Sequence, residues 1–247
     1  MSNVQPIISI VVPVYQEADN IVPYLRDLES SVSEDYEALI VYDFPEDNTI
    51  AAVNGMSPPP RGVKLVHNTL GRGVCNAIQA GFQAAKGDVI LVMMADRSDR
   101  ASDVPLMAEK IRQGADVVAG SRYVRGGDQI GGPRFKRFIS WLAGASLHWL
   151  AGLPIHDATN NFRAYSRRVI EQFPIESKEG FVLAMELTLK AHWNGMTVEE
   201  VPTVWQDRTA GESRFQLFKW LPRYLSWYLR AMKRAWLGPQ RKARKRT

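Results

Sequence analysis

Cysteine is almost missing from this 247-residue chain, where Cys75 stands alone. A single thiol excludes a disulfide framework and a cysteine-ligated zinc site, and it suits a reducing compartment. Long apolar runs are missing as well. No uncharged stretch reaches the roughly 18 residues that a membrane-spanning helix needs. The opening MSNVQPIISIVVPVYQE has no basic segment and meets Glu17 early, unlike a secretory leader. Acidic residues vanish from Lys219 onward, where ten Lys and Arg occur with no Asp or Glu. Residues 1–218 therefore carry 21 bases against 26 acids, a net −5 inside an overall +5. An acidic body with a basic tail points to a polyanionic partner, nucleic acid or an anionic membrane surface, or equally to a plain solvated tail.

What is present is the ordinary globular mixture, 45% hydrophobic and 23% charged, which excludes disorder and fibrous repeats. The length suits one large domain with a modest appendage. Short β-branched runs alternate with helical patterns in the first half, the pattern of an α/β fold with a mostly parallel sheet. Ile7–Val14, Glu37–Asp43, Val63–His67, Asp88–Met94 and Asp116–Gly120 read as strands. Ile21–Ser31, capped by Asn20 and with Pro23 in its first turn, reads as a helix, as does Gly71–Ala85. In the second half, the glycine-rich segment 125–133 reads as a mobile loop and Phe135–Leu150 and Phe181–Asn194 as helices. Thr197–Trp205 alternates as one strand, with Pro202 placing it at an edge. The last element spans Arg214–Trp236, divided by Pro222.

Ligands of open α/β sheets bind beyond the carboxyl ends of the strands. There the sequence sets Pro13-Val14-Tyr15-Gln16-Glu17, Asp43, and Ala95-Asp96-Arg97-Ser98-Asp99. Carboxylates delivered by three strands suit a polar site with a hard cation held by oxygen. Any single Asp in that set, Asp99 or Asp47 above all, could instead cap the next helix. Leu70-Gly71-Arg72-Gly73 is not a dinucleotide fingerprint: Asn76 stands where the third glycine belongs, and the segment follows the third strand rather than the first.

Val11–Glu17 (VVPVYQE) resembles the opening of inverting GT-A glycosyltransferases of family 2. Further blocks follow in the same order: VYDFPEDNT from Val41, Leu70–Gly81, Met94–Asp99, GSRY from Gly120, DATNNFRAY from Asp157, EEVP from Glu199 and DRTAGESR from Asp207. Together they resemble polyprenyl-phosphate (dolichyl-phosphate) mannosyl- and glucosyltransferases over nearly the whole chain. The resemblance implies a GT-A α/β domain over residues 1–212, amphipathic and membrane-interfacial helices over 213–237, and a basic disordered tail over 238–247. It implies that Pro13, Tyr15, Glu17, Asp43 and Gly71 line the nucleotide pocket. It also implies that Asp96 holds a divalent cation, Mg²⁺ or Mn²⁺, and that Arg122, Arg208 and Arg214 meet phosphates, with Arg134 and Ser213 on the acceptor side. The planar guanidinium fork suits that task.

Two departures stand out. Met94 replaces the first acid of the DxD pattern, and a thioether is a poor ligand for these cations. Asp99 then completes the site with Asp96, or the donor phosphates and Asp96 hold the metal between them, or the site is inactive. Phe44-Pro45 replaces the Gly-Ser of the second block and leaves the donor, a GDP- or UDP-hexose, unassigned.

The reaction implied is inverting transfer of a hexose to polyprenyl phosphate. Alternatives are a GT-A transferase acting on a sugar hydroxyl in polysaccharide or lipopolysaccharide synthesis, and a catalytically silent nucleotide-sugar-binding homologue. A hydroxyl acceptor needs a base, for which Asp157 is the candidate and Glu186 a lower-ranked one, although Asp157 is equally placed to cap the turn before Thr159. His148 and His156 read as structural. Aromatics interleaved with cations from Phe215 to Trp236 describe a helix lying on an anionic leaflet, or one packed on the domain with its aromatics as core. The leaflet reading gives a cytoplasmic, peripheral protein, with room for a homo-oligomer or a membrane subunit as partner. Cations confined to the tail, with no reader motif, argue against nucleic acid.

Overall fold

The computed structural model describes residues 8–207 and 217–237. Five strands follow the expectation closely: β1 (Ile8–Pro13), β2 (Tyr36–Tyr42), β3 (Val63–His67), β4 (Val89–Val92) and β5 (Val117–Ser121). The near-continuous apolar runs of β1, β2, β4 and β5 are buried on both faces, as a helix-covered parallel sheet requires, whereas β3 at the sheet edge is only partly buried. Ile8, Ile10 and Val12 enter the core on one face, and Val11, Leu39 and Val41 enter the core on the other. Helices α1 (Ala18–Ser31) and α4 (Val104–Arg112) cover the first face. Helices α3 (Val74–Ala84) and α7 (Val182–Trp193) cover the second. Helix α1 starts before its expected boundary, at Ala18. Asn20 lies inside it and donates its amide to Glu17 Oε2 (2.6 Å) rather than capping it. Helix α2 (Asn48–Asn54) is capped by Asp47, which accepts from Thr49 N (2.9 Å).

The second half departs from the sequence reading. Strand β7 (Arg163–Ser166) enters the sheet antiparallel between β4 and β5, giving with edge strand β8 (Val198–Pro202) the order β3-β2-β1-β4-β7-β5-β8. The expected single strand over 197–205 breaks at Thr203, and Pro202 does sit at the sheet edge. Its continuation β9 (Val204–Gln206) pairs in parallel with β6 (Asp128–Ile130), inside the segment expected to be a mobile loop. Four glycines surround β6 without preventing it, because the pairing needs only three residues.

Helix α5 (Arg134–Ala151) matches its expected span, and the short helix α6 (Arg167–Gln172) follows β7. Helix α8 (Leu217–Leu237) runs unbroken through Pro222. A proline in the sixth position removes one helical hydrogen bond, and packing on α5 and α7 outweighs that loss. Residues 208–216 and the basic tail 238–247 lie outside the described residues.

Gly144 marks the closest approach of α5 to the body. A Cβ there would lie inside van der Waals contact of the His156 carbonyl oxygen, a backbone atom that cannot swing aside. Gly144→Ala is expected to destabilise the fold by about 1–3 kcal/mol despite the better helix propensity of alanine. A lowered urea midpoint with unchanged slope checks this.

Candidate active site

The carboxyl ends of β1, β2, β3, β4 and β5 share one edge, and antiparallel β7 brings the segment 157–162 to the same edge. On the β1–β3 side, Pro13 ends β1 and Tyr15 follows, 45% exposed. Gln16 takes the left-handed conformation (φ 55°), with its N–H donating to Asp47 Oδ2 (3.0 Å), while Glu17 N donates to Thr49 Oγ1 (2.9 Å). Asp43 spans a gap: one oxygen accepts from Asn68 Nδ2 (2.7 Å), the other from Gly73 N (2.8 Å). That carboxylate therefore fixes the loop after β3, in which Gly71 and Gly73 both have positive φ. Pro13, Tyr15, Glu17, Asp43 and Gly71, expected together, do come together at one corner of the edge.

Past β4 the chain folds tightly. Ser98 N donates to Asp96 Oδ1 (3.1 Å) and Met94 N to Asp99 Oδ2 (3.3 Å). Asp96 and Asp99 are both buried. Burial first, and then repulsion from Asp96, pushes the Asp99 carboxyl up to about 7. Two carboxylates crowded out of water are a chemical setting that a divalent cation relieves. Among the described residues no group of three or more His, Cys, Asp or Glu is disposed around a metal, so the remaining oxygen ligands would have to come from a bound diphosphate and water. Asp96 and Asp99 also line a cavity of about 310 Å³ with Tyr24, Arg100 and Asp207.

On the β5 side, Arg122 meets Asp157. The guanidinium donates through Nε to Oδ2 (2.7 Å) and through Nη2 to Oδ1 (3.0 Å), and the Arg122 N–H adds a third bond to Oδ2 (3.2 Å). Nη2 also reaches Thr159 Oγ1 (3.1 Å) and Ser140 Oγ (3.0 Å) of α5. Asp157 is wholly buried and caps the turn at Thr159 N and Asn160 N. Burial alone would raise its pKa, but the Arg122 cation and its hydrogen bonds override this and hold the carboxyl below its usual value. The expectation of Asp157 as a general base is corrected accordingly: an enclosed, fully engaged carboxylate positions Arg122 and does not face a substrate proton. Glu186 is likewise committed, accepting from Glu176 N, Ser177 N and Lys190. His148 and His156 are structural, stacked 3.9 Å apart and bonded to Leu153 O and Glu200.

Beside Arg122 opens a cavity of about 470 Å³, lined also by Tyr123, Arg134, Arg137, Phe138 and Trp141. Arg134 was expected there. Arg137, Phe138 and Trp141 were not, although their spacing of i+3, i+4 and i+7 from Arg134 on one helix could have placed them beside it. Helix α5 continues from the cavity as an exposed apolar surface of Phe135, Phe138, Trp141, Leu142, Trp149 and Leu150. On α8 part of the set expected to face a membrane turns inward: Trp227 and Met232 are buried and Tyr228 bonds Ser146 of α5 (3.0 Å), while Trp236 stays exposed. Leu221, Leu225 and Leu229, four residues apart, stay exposed. Arg208, Ser213 and Arg214 lie outside the described residues. Among those described, no helix is long and apolar enough to cross a membrane.

The model of the family described as glycosyl transferase family 2 matches residues 9–173. The chain belongs to that family. It is 31% identical over 231 residues to the dolichol-phosphate mannosyltransferase of Pyrococcus furiosus, covering 89% of this chain and 64% of that relative's length. It is 31% identical to the polyprenol monophosphomannose synthase of Mycolicibacterium smegmatis, covering 83% of this chain and 79% of that protein. The undecaprenyl-phosphate mannosyltransferase of Micrococcus luteus gives 31% identity, with coverages of 83% and 85%. Among solved structures, glucosyl-3-phosphoglycerate synthase from Mycobacterium tuberculosis, in complex with Mn²⁺, UDP and glucosyl-3-phosphoglycerate, superposes with a TM-score of 0.68 at 15% identity, covering 92% of this chain and 80% of that one. The fold of this family 2 member is GT-A.

Asp157→Asn keeps the shape of the pair and removes its charge. The loss is expected to be about 3 kcal/mol in unfolding free energy, as for a buried ion pair deprived of one partner. A carboxyl held low when folded stabilises the fold above its unfolded value near 3.8 and loses that contribution as pH falls through the folded value. The deficit of the variant should thus be full at pH 7 and shrink below about pH 4, read from urea melts at both ends.

Proposed function

We propose that this family 2 member transfers a hexose, with inversion, from a nucleoside diphosphate sugar to a polyprenyl phosphate while resting on an anionic membrane surface. The observation that carries the reading is the cavity beside Arg122. Arg122, Arg134 and Arg137 meet there with Phe138 and Trp141, and the apolar face of α5 continues from it. An anionic head on an apolar tail is the ligand such a surface complements. The names of the three relatives, each a transferase or synthase on a lipid phosphate, support the same acceptor class.

The chemistry asks little of a base. A phosphate monoester has its second pKa near 6, so its attacking oxygen is already anionic at neutral pH. This agrees with Asp157 being spent on Arg122: the carboxylate holds the guanidinium, and the guanidinium orients the acceptor phosphate. At the other side of the edge, Asp96 and Asp99 would hold a divalent cation together with the donor diphosphate. When bound, that ion supplies neutralisation of the charge that develops on the leaving group. Arg208, Arg214 and Ser213 belong to the same phosphate-binding set in this reading. A sugar-hydroxyl acceptor is disfavoured because it needs a base within reach, and both candidate carboxylates are engaged elsewhere.

Membrane attachment rests on the outward faces of α5 and α8, and it makes the protein peripheral. The leucine stripe of α8 and the aromatics of α5 enter the interface, and the basic residues near them face the anionic headgroups.

Two measurements test these statements. Label from a radioactive nucleotide sugar should pass into the organic phase only when polyprenyl phosphate is supplied. Arg122→Lys should lower kcat/KM about a hundredfold, since a point charge cannot replace the bidentate fork. Label that stays water-soluble with every lipid phosphate would sink the acceptor assignment. Separately, the chain should float with vesicles containing anionic lipid. Leu225→Ser with Trp149→Ser should reduce the bound fraction several-fold at unchanged thermal stability, because both side chains are exposed. Equal binding to purely zwitterionic vesicles would remove the electrostatic part of the claim.

A further inference from the structure

Phe44 belongs to neither apolar core among the described residues, yet it is a large ring held in a defined place. It follows Asp43 at the carboxyl end of β2. Tyr15 reaches it from the end of β1, with ring centroids 5.5 Å apart and planes at 66°. From the loop after β3, the Arg72 guanidinium lies 5.2 Å from the centre of the Phe44 ring. Three adjacent strands thus deliver two aromatic rings and one planar cation to a single water-facing corner.

The corner is braced from behind. Asp43 ties the loop carrying Arg72 to β2 through Asn68 and Gly73. Asp47 ties Gln16, next to Tyr15, in a left-handed conformation that side chains other than glycine seldom adopt. Strained, fixed backbone beside an exposed Tyr15 ring and a half-buried Phe44 ring is the kind of arrangement found at ligand clamps. No apolar packing accounts for it.

We propose that Phe44 and Arg72 form a stacking clamp for the donor's nucleobase. The base takes the place of Arg72 on the Phe44 ring with Tyr15 at its edge, and Arg72, exposed on its flexible stem, swings out to cover the opposite face. The inference rests on the nucleotide-sugar reading above and adds to it the means of base selection. The Phe44 and Tyr15 rings supply the flat surface of the corner, and both Asp43 oxygens are already anchored inside the protein. A clamp of this kind reads ring area. It favours a purine over a pyrimidine and separates guanine from adenine only weakly, because every base has a π face.

Calorimetric titration of the full chain with GDP, ADP, UDP and inorganic pyrophosphate, each with Mn²⁺, tests the clamp. Phe44→Ala should weaken GDP and ADP about tenfold, in line with stacking on an aromatic side chain. It should weaken UDP less and leave pyrophosphate unchanged. Arg72→Gln should weaken the two purine nucleotides about threefold. Phe44→Tyr should bind like the parent chain, and unfolding midpoints of all variants should match. Equal loss of pyrophosphate affinity, or nucleotide binding indifferent to Phe44→Ala, overturns the clamp while leaving the transferase reading standing. Failure of the parent chain to bind any nucleotide overturns both.

Discussion

The ion pair between Arg122 and Asp157 is the constraint on which the β5–α5 side of the molecule depends. Taking an arginine and an aspartate out of water is costly, and the cost is met only when geometry is good and every remaining donor is satisfied. Here the pair is bidentate, and the leftover hydrogen-bonding capacity recruits neighbours from separate elements. Ser140 comes from α5, Thr159 from the turn before β7, and Gln129 from β6. Directly beneath, wholly buried Arg163 donates to the carbonyl oxygens of Asp157 and Asn160 and to Thr188 of α7. The two arginines thus fix the turn from both sides. Removing either carboxylate or turn would strand a buried cation.

The same pair decides what the site can do chemically. A carboxylate with its lone pairs spent on guanidinium and backbone donors is a positioning group, and its depressed pKa keeps it charged across the working range. In the proposed reading, catalysis at this edge comes from placing anions and stabilising departing charge. That is sufficient for an acceptor that arrives ionised and insufficient for an alcohol. The opposite corner follows a parallel logic: Asp43, read from sequence as a ligand contact, serves first to fix the Gly71–Gly73 loop.

How much of this was legible depended on whether local pattern or long-range partner decides the outcome. Strands β1, β2, β4 and β5 declared themselves because a strand buried on both faces needs a continuous apolar run, and edge strand β3 did so by its short alternating pattern. Strand β7 was hidden by Arg163, a charged residue that argues against a central strand until its partners Thr188 and Asp157 are known. Strands β6 and β9 were hidden because three residues carry no periodicity. The span of α5 was plain, but its exposed stripe of Phe138, Trp141 and Leu142 has the spacing of a packed helix. Which face of α8 meets the domain was also undecidable locally. Trp227 turned inward because Lys190 and Arg230 lie against its ring and Ser177 accepts its N–H. Asp157 looked like a base because a sequence shows a carboxylate and not the cation that occupies it.

The first turns of α5 make the last step. Arg134, Lys136 and Arg137 crowd the amino end of a helix, where unsatisfied N–H groups already present positive charge. Each cation there costs about 0.3–1 kcal/mol against the helix dipole. Structure offsets part of this cost, since Arg137 bonds the Gln129 carbonyl (2.9 Å) and lies 3.3 Å from Asp128. Arg134 stands exposed at the mouth of the cavity, and no acid lies in that turn. Helix α8 pairs Arg223 with Glu179 and Arg230 with Glu176, and Leu221, Leu225 and Leu229 stay exposed beside them. Helix α8 therefore neutralises part of its charge against the domain, while α5 keeps charge where it destabilises the helix. An anion bound at the head of α5 removes that conflict, and an apolar chain leaving it finds Phe138 and Trp141 already in place.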